Sequence, residues 1–220
     1  MPRRGLEQES FGILTGPRLG SGIFRLQFVK KTEFGPKECT FLLRDPQNPQ
    51  AWIASKKKEN PKKLSYSELF NPLVEGMNQT PFDLLMPFVF WPEIYRNSGK
   101  VAGRPAHLYE FSMPSWVKEA KPTWESIILA IDDVYEAPLR IETFEKGLSS
   151  IRTITLKSFK KVGNHWIVKS LDCHDNRDRS NTRLQILSAA LELDLSPDLF
   201  SQNGFTHSPT ISPTTYQSVD

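Results

Sequence analysis

Three clusters in this sequence hold the residue types that do chemistry: Cys173-His174-Asp175 with His165-Trp166 before it, Asp132-Asp133 with Glu136, and the single cysteines Cys39 and Cys173. A nucleophilic thiol needs a base brought to it and a depressed pKa. Alternation places Cys173 in a strand, where adjacent residues point to opposite faces, so Cys173 and His174 cannot face each other. His174, Asp175 and Asp178 have the types of metal ligands, but in a charged turn they read as a solvated loop. Asp132, Asp133 and Glu136 resemble calcium ligands by type. They lack the turn glycine and regular spacing of a calcium loop, and read as the polar end of a hairpin. Neither cysteine sits in a CxxC pair, which argues against zinc; two buried thiols or one disulfide both remain open. Asn78-Gln79-Thr80 fits a glycosylation sequon but is followed by Pro81 and carries no weight. The residues therefore imply no catalytic group, no metal site and no cofactor.

The elements that position these groups are mostly strands. At 220 residues the chain can build one substantial domain, and 38% hydrophobic with 24% charged residues is a globular composition. A net charge of +3, from 28 basic and 25 acidic residues mixed along the chain, argues against nucleic acid as a partner. No run is long enough to span a membrane. Lys56-Lys57-Lys58 with Lys62-Lys63 around Pro61 reads as a solvated hairpin loop. The opening MPRRGLEQES lacks an apolar signal region, so the chain is either cytoplasmic or one whose leader has been trimmed, and the residues alone favour the first.

Strand signals begin at Ile23–Val29, continue through Cys39–Leu43 and Ala51–Ala54, and resume after an apolar segment. Glu93–Arg96 and Arg104–Met113 form a hairpin around Asn97-Ser98-Gly99. Ser126–Asp132 with Leu139–Phe144, and Ser149–Phe159 with Trp166–Cys173 around Gly163-Asn164, form two more; Arg183–Leu187 is the last strand. The total is about ten or eleven strands joined by short connections. Ser65-Tyr66-Ser67-Glu68 has capping-box spacing, with Ser65 as N-cap, and Thr80-Pro81-Phe82-Asp83 repeats it. Ser196-Pro197-Asp198 starts a turn ending near Phe200, and 202–220 is a loose polar tail.

Between Leu69 and Trp91 lie Phe70, Leu73, Val74, Phe82, Leu84, Leu85, Met86, Phe88, Val89, Phe90 and Trp91. They fall on helices too short to be stable alone, which must lie on the face of a sheet. Prolines at 72, 81, 87 and 92 divide this cover into short pieces. It either completes a permanently packed core or closes over an apolar concavity that opens.

The order LLRDPQNPQAWI, SYSELFNPL, TPFDLLMPFVFWP, VAGRPAHLYEF, ILAIDDVYEAPLRIETFEKG and SFKKVGNHWIVKSLDCHD resembles the outer-membrane lipoprotein-sorting family, LolA/LolB-like proteins. The likeness covers 11–201 as one domain and rests on structural motifs, none of them catalytic. It implies a mainly β (α+β) fold, an incomplete antiparallel β-barrel covered on its concave face by short helices. It also implies a non-enzymatic carrier or receptor for an acylated ligand in the periplasm, with lipoprotein acyl chains or another lipid as cargo, and an inner-membrane donor and outer-membrane acceptor as partners. An arginine near the end of an early strand latches the lid in such carriers; Arg44 stands at the comparable place, with Asp45 next to it as a competing partner. Those carriers begin with a long N-terminal helix, which this sequence lacks.

Under this resemblance Phe82, Leu84, Leu85, Met86, Phe88, Phe90 and Trp91 line the lid and mouth. Ile127, Leu129 and Ile131 line the sheet face, unless the register turns Ile128 and its alternates inward. Two other classes fit the same residues. A small enzyme for an apolar substrate would use polar groups in the cavity, with His107, Tyr109, Glu110 and Arg140 as candidates. An envelope-sensing interaction module would have a filled core and an exposed apolar patch.

Overall fold

In the computed structural model, residues 7–14, 22–32, 35–55, 60–147, 149–206 and 211–219 are described. Period-two alternation and tight turns give two antiparallel sheets in which every strand pairs with its sequence neighbour. The first contains β1 (Glu7–Leu14), β2 (Gly22–Thr32), β3 (Gly35–Arg44), β4 (Gln50–Ala54) and β5 (Lys62–Lys63). The second contains β6 (Glu93–Val101), β7 (Arg104–Ser112), β8 (Trp124–Asp132), β9 (Pro138–Glu145), β10 (Ser150–Val162), β11 (His165–Asp175) and β12 (Ser180–Gln185). Neither sheet closes on itself. The helices are short: α1 (Pro81–Leu85), α2 (Ser115–Ala120) and several 3-10 turns. The chain divides into two compact units, one of Met1–Asn71, Pro81–Pro87 and Asp194–Ile211, the other of Pro72–Thr80, Phe88–Leu193 and Ser212–Asp220.

In the first unit β3 is buried on both faces, with Phe41 and Leu43 on one and Leu42 on the other. Leu42 pairs with Trp52, and both pack with Ala54 against Leu199, Phe200 and Phe205. Arg25 lies opposite Leu42 on this face, fully buried, and donates from Nη1 to the carbonyls of Leu199 (3.1 Å) and Gly204 (2.6 Å). It thereby closes the C-terminal turns onto the sheet. The 3-10 turn Ser67–Phe70 carries the expected capping box: Glu68 Oε2 accepts from Ser65 N at 2.8 Å, and Glu68 N donates to Ser65 Oγ at 3.4 Å. Its Phe70 ring lies 4.7 Å from that of Phe82 in α1.

Several elements differ from the sequence expectation. β1 and β5 are additional strands, so the two sheets hold five and seven rather than ten or eleven in all. β6 runs straight through Asn97-Ser98-Gly99 with a bulge after Tyr95, and the reversal comes at Ala102 (φ 50°) and Gly103 (φ 84°). That two-residue link with both φ positive matches the twist of the strands it joins. α2 has one fully buried residue, Val117, too little periodicity to be read in advance. The stretch after residue 201 is anchored at two places: Phe205 is in the Leu42 cluster, and β14 (Gln217–Ser218) pairs with β13 (Ser188–Ala189), burying Val219. The lysine run 56–58 lies outside the described residues.

Candidate functional site

The seven-stranded sheet has one face built from apolar rows. Directly paired residues share a face, and Tyr109, Leu129, Ile141, Ile154, Cys173 and Thr182 are paired in succession from β7 to β12. Leu129, Ile141, Ile154 and Cys173 are all buried. The next row begins with Phe111, Ile127 and Thr143, all buried, and turns polar at Arg152, Asp175 and Ser180. The register question is thus resolved: Ile127, Leu129 and Ile131 share a face with Phe111, and Ile128 and Ala130 lie on the other.

Two segments cover this face. The 3-10 turn Pro87–Phe90 sets the Phe88 ring 5.6 Å from Phe111, edge to face, and 6.4 Å from Trp91. Trp91 in turn meets Trp116 of α2 at 6.0 Å. Toward β11 and β12 the cover is the strap Pro72–Thr80, fixed by Asn78. Asn78 donates from its backbone to Thr182 Oγ1 (2.9 Å) and from Nδ2 to Ser180 Oγ (2.8 Å) and the Cys173 carbonyl (3.2 Å). Arg152 donates to the Asn78 carbonyl, and its Nη2 lies 3.0 Å from Cys173 Sγ.

The sheet's other face is ionic. Arg96 pairs with Glu110, Arg140 with Glu142 at 3.0 Å, and Asp172 with Arg183 at 2.6 Å and Lys157 at 3.8 Å. The Arg183 guanidinium holds the Asp172 carboxyl below its usual range. One apolar island, Val101, Ala106, Ala130 and Leu139 with Leu108, interrupts it.

Among the expected ligand residues, Phe88, Trp91, Ile127, Leu129 and the half-buried Phe90 and Ile131 belong to the second unit, where Phe88 meets Trp91 and lies on Phe111, the partner of Ile127. Phe82 and Leu85, both buried, and Leu84 and Met86, half-buried, belong to the first unit, where α1 lies against β3. Arg44 is bonded to Asp45 at 3.0 Å and stacks on Trp52, so Asp45 competes for it as the sequence suggested. The buried arginine of an early strand that holds backbone carbonyls is Arg25. Two further participants, Phe111 and Asn78, were missed; Phe111 was legible as an alternate of Tyr109, whereas Asn78 had only its sequon to mark it.

The polar candidates are not brought together. His107 and Tyr109 lie on the apolar-row side, with His107 Nε2 2.7 Å from Asp133 and Nδ1 3.3 Å from the Tyr95 hydroxyl, while Glu110 and Arg140 lie on the ionic side. Cys173 and His174 take opposite faces, as alternation requires, and Cys39 and Cys173 are not joined in a disulfide. Asp132 is buried, bonded to Arg104, and accepts from the backbones of Val134 and Tyr135 at 2.9 Å each. Arg104 chiefly, then the two N–H groups, hold its carboxyl down at about 2. Two open depressions, of about 520 Å³ lined by residues of 48–50 and 63–68 and of about 320 Å³ beside Ser98, His107 and Asp133, carry mixed polar and apolar linings.

Residues 98–207, half of the chain, match a family model described as "-like: Uncharacterized protein", and the chain belongs to that family. No curated protein matches the sequence. Among solved structures, a domain from Vibrio parahaemolyticus with the provisional name of outer membrane lipoprotein-sorting protein superposes with a TM-score of 0.65 at 15% identity, over 84% of each chain. A DUF1329 family protein from Desulfovibrio piger superposes with a TM-score of 0.54 at 13% identity, over 89% of this chain and 88% of that one. The fold is LolA/LolB-like: mainly β, antiparallel, open, with few short helices. No helix among the described residues is long and apolar enough to cross a membrane.

Proposed function

We propose that this chain is a non-enzymatic carrier or receptor for an acylated ligand in the bacterial periplasm, its cargo a lipoprotein or another lipid. The observation that carries the proposal is the buried row Leu129, Ile141, Ile154 and Cys173, lying beneath a cover made of short, proline-divided pieces. Covering an acyl chain is favourable by roughly 0.8 kcal/mol per CH2, so such a face needs no polar chemistry to hold lipid. The cover is down, with Phe88 on Phe111. Binding displaces Phe88 and the strap Pro72–Thr80 and lets the acyl chain take their place along Ile127 and Leu129. Met86 supports a movable cover: it sits just before the Pro87–Phe90 turn with φ 43°, a conformation that strains a residue bearing a Cβ. The name of the Vibrio parahaemolyticus domain favours lipoprotein as cargo; the partners proposed with it are an inner-membrane donor and an outer-membrane acceptor.

Native mass spectrometry of the purified protein, followed by lipid extraction, tests this. Co-purified acyl chains that a fluorescent fatty-acid probe displaces are expected. A ligand-free mass together with no probe binding overturns the proposal. That result would favour the second reading, a filled core with an interaction role, which full burial of Leu85 and Phe88 supports.

A further inference from the structure

The hairpin of β10 and β11 outreaches its neighbours. β9 runs beside β10 only along Ser150–Thr155, and β12 beside β11 only along Ser170–Asp175. Beyond them, Ser158–Val162 and His165–Val168 form a two-stranded ribbon, roughly 15 Å long at the usual strand rise. It is closed by Gly163, with φ 57°, and Asn164. Lys161 stands directly across from Trp166, and Phe159 across from Val168, two residues further along both strands. The four side chains therefore share a face. Trp166 is 63% exposed there, unusual for so large an apolar residue. The opposite face is occupied: Val162 is buried, and His165 reaches Glu192 at 3.1 Å.

Within the ribbon itself, Ser158–Val168, the sequence contains Lys160 and Lys161 and no Asp or Glu. Lys157, near the ribbon's base, shares Asp172 with Arg183, and Glu192 lies on the His165 side. A projecting tip with an exposed indole and a surplus of lysines matches a surface that is apolar just below a layer of negative charge. Tryptophan favours the boundary between headgroups and acyl chains, and lysines near an anionic leaflet are drawn to its phosphates. Four side chains are too few for a stable protein interface, which takes about 800 Å² from each partner.

We propose that the β10–β11 tip docks this protein on an anionic phospholipid bilayer, with Trp166 at the headgroup boundary and Lys161 across from it against lipid phosphates. This surface lies beyond the stretches that β9 and β12 flank and requires no cargo.

Flotation of the whole chain with vesicles tests it, comparing phosphatidylglycerol mixed into phosphatidylcholine against phosphatidylcholine alone. Binding to the anionic vesicles only, weakened by salt, is expected. Trp166→Ala and Lys161→Glu, each with a wild-type circular dichroism spectrum, are expected to weaken it about tenfold. Lys118→Glu on α2, an exposed lysine away from the ribbon, is the control and leaves binding unchanged. Equal binding to both vesicle types, or no loss in Trp166→Ala and Lys161→Glu, overturns the proposal. Binding to polyglutamate but not to vesicles also overturns it and points to an acidic protein partner. The vesicles contain no acylated cargo, so either negative result leaves the carrier proposal standing.

Discussion

The two faces of the seven-stranded sheet come from the same strands and differ only by the parity of residue number. One carries Leu129, Ile141, Ile154 and Cys173, buried in a single row. One residue along, the other carries Arg140, Thr155, Asp172 and Arg183, cross-linked by ion pairs. Burial on the first face removes apolar surface from water, worth about 1.5–3 kcal/mol for each large aliphatic side chain. The ion pairs of the second join solvent-exposed arginines to largely covered carboxylates, and pairs open to solvent on one side contribute about 1 kcal/mol. The first face therefore holds this unit together, and it is the surface proposed above to take an acyl chain. The second keeps the outer side of the sheet wetted and sets little of its stability.

Breaking the apolar face should have the largest effect. Leu129→Ala is expected to cost about 2–5 kcal/mol in urea denaturation, through lost burial and the cavity left behind. A change below about 1 kcal/mol would mean that the row is not packed. Releasing the cover comes next. Asn78→Ala removes the side-chain bonds to Ser180 and Cys173 and should cost about 1–2 kcal/mol. Hydrogen exchange should speed up in 72–80 and leave β8 unchanged; uniform acceleration would show that the strap is not a separate element.

The ionic face should respond weakly. Asp172→Asn, which separates Arg183 and Lys157 from their shared carboxylate, is expected to cost about 1 kcal/mol or less, and high salt should abolish the difference. Confined to acid, and the most local, is the response of Asp132. Its carboxyl is held at about 2 by Arg104, against 3.8 unperturbed, so its contribution is complete above about pH 4 and fades as pH falls toward 2. Acid titration of Asp132→Asn should show a shallower loss of stability across that window; an identical acid limb would mean that Asp132 is not linked to folding.

The hairpins from β7 to β11 were legible because alternation and turn residues agree there. In Arg104–Ser112 and Trp124–Asp132 the residues themselves announce strands, and only the choice of inward face stayed open. That choice depends on which side a cover lies, and Phe88 against Phe111 settles it. β1 was invisible because Glu7–Leu14 alternates poorly and is defined by pairing with β2. The Asn97-Ser98-Gly99 turn failed for the opposite reason: residues with turn propensity were absorbed as an edge strand with a bulge, and Ala102-Gly103 took the reversal. Arg25 was hidden because its partners are carbonyls more than 170 residues away in sequence. Arg44, chosen by position in the chain, had a local acid beside it and took it.

The most direct measurement is photo-crosslinking with a diazirine-bearing fatty acid, followed by peptide mapping of the adducts. Labels on Phe88–Trp91 and on the apolar-face residues Phe111, Ile127 and Leu129, reduced by unlabelled fatty acid, are the expected result. Labels confined to the ionic face, or adducts that unlabelled fatty acid does not reduce, would contradict acyl binding beneath the cover.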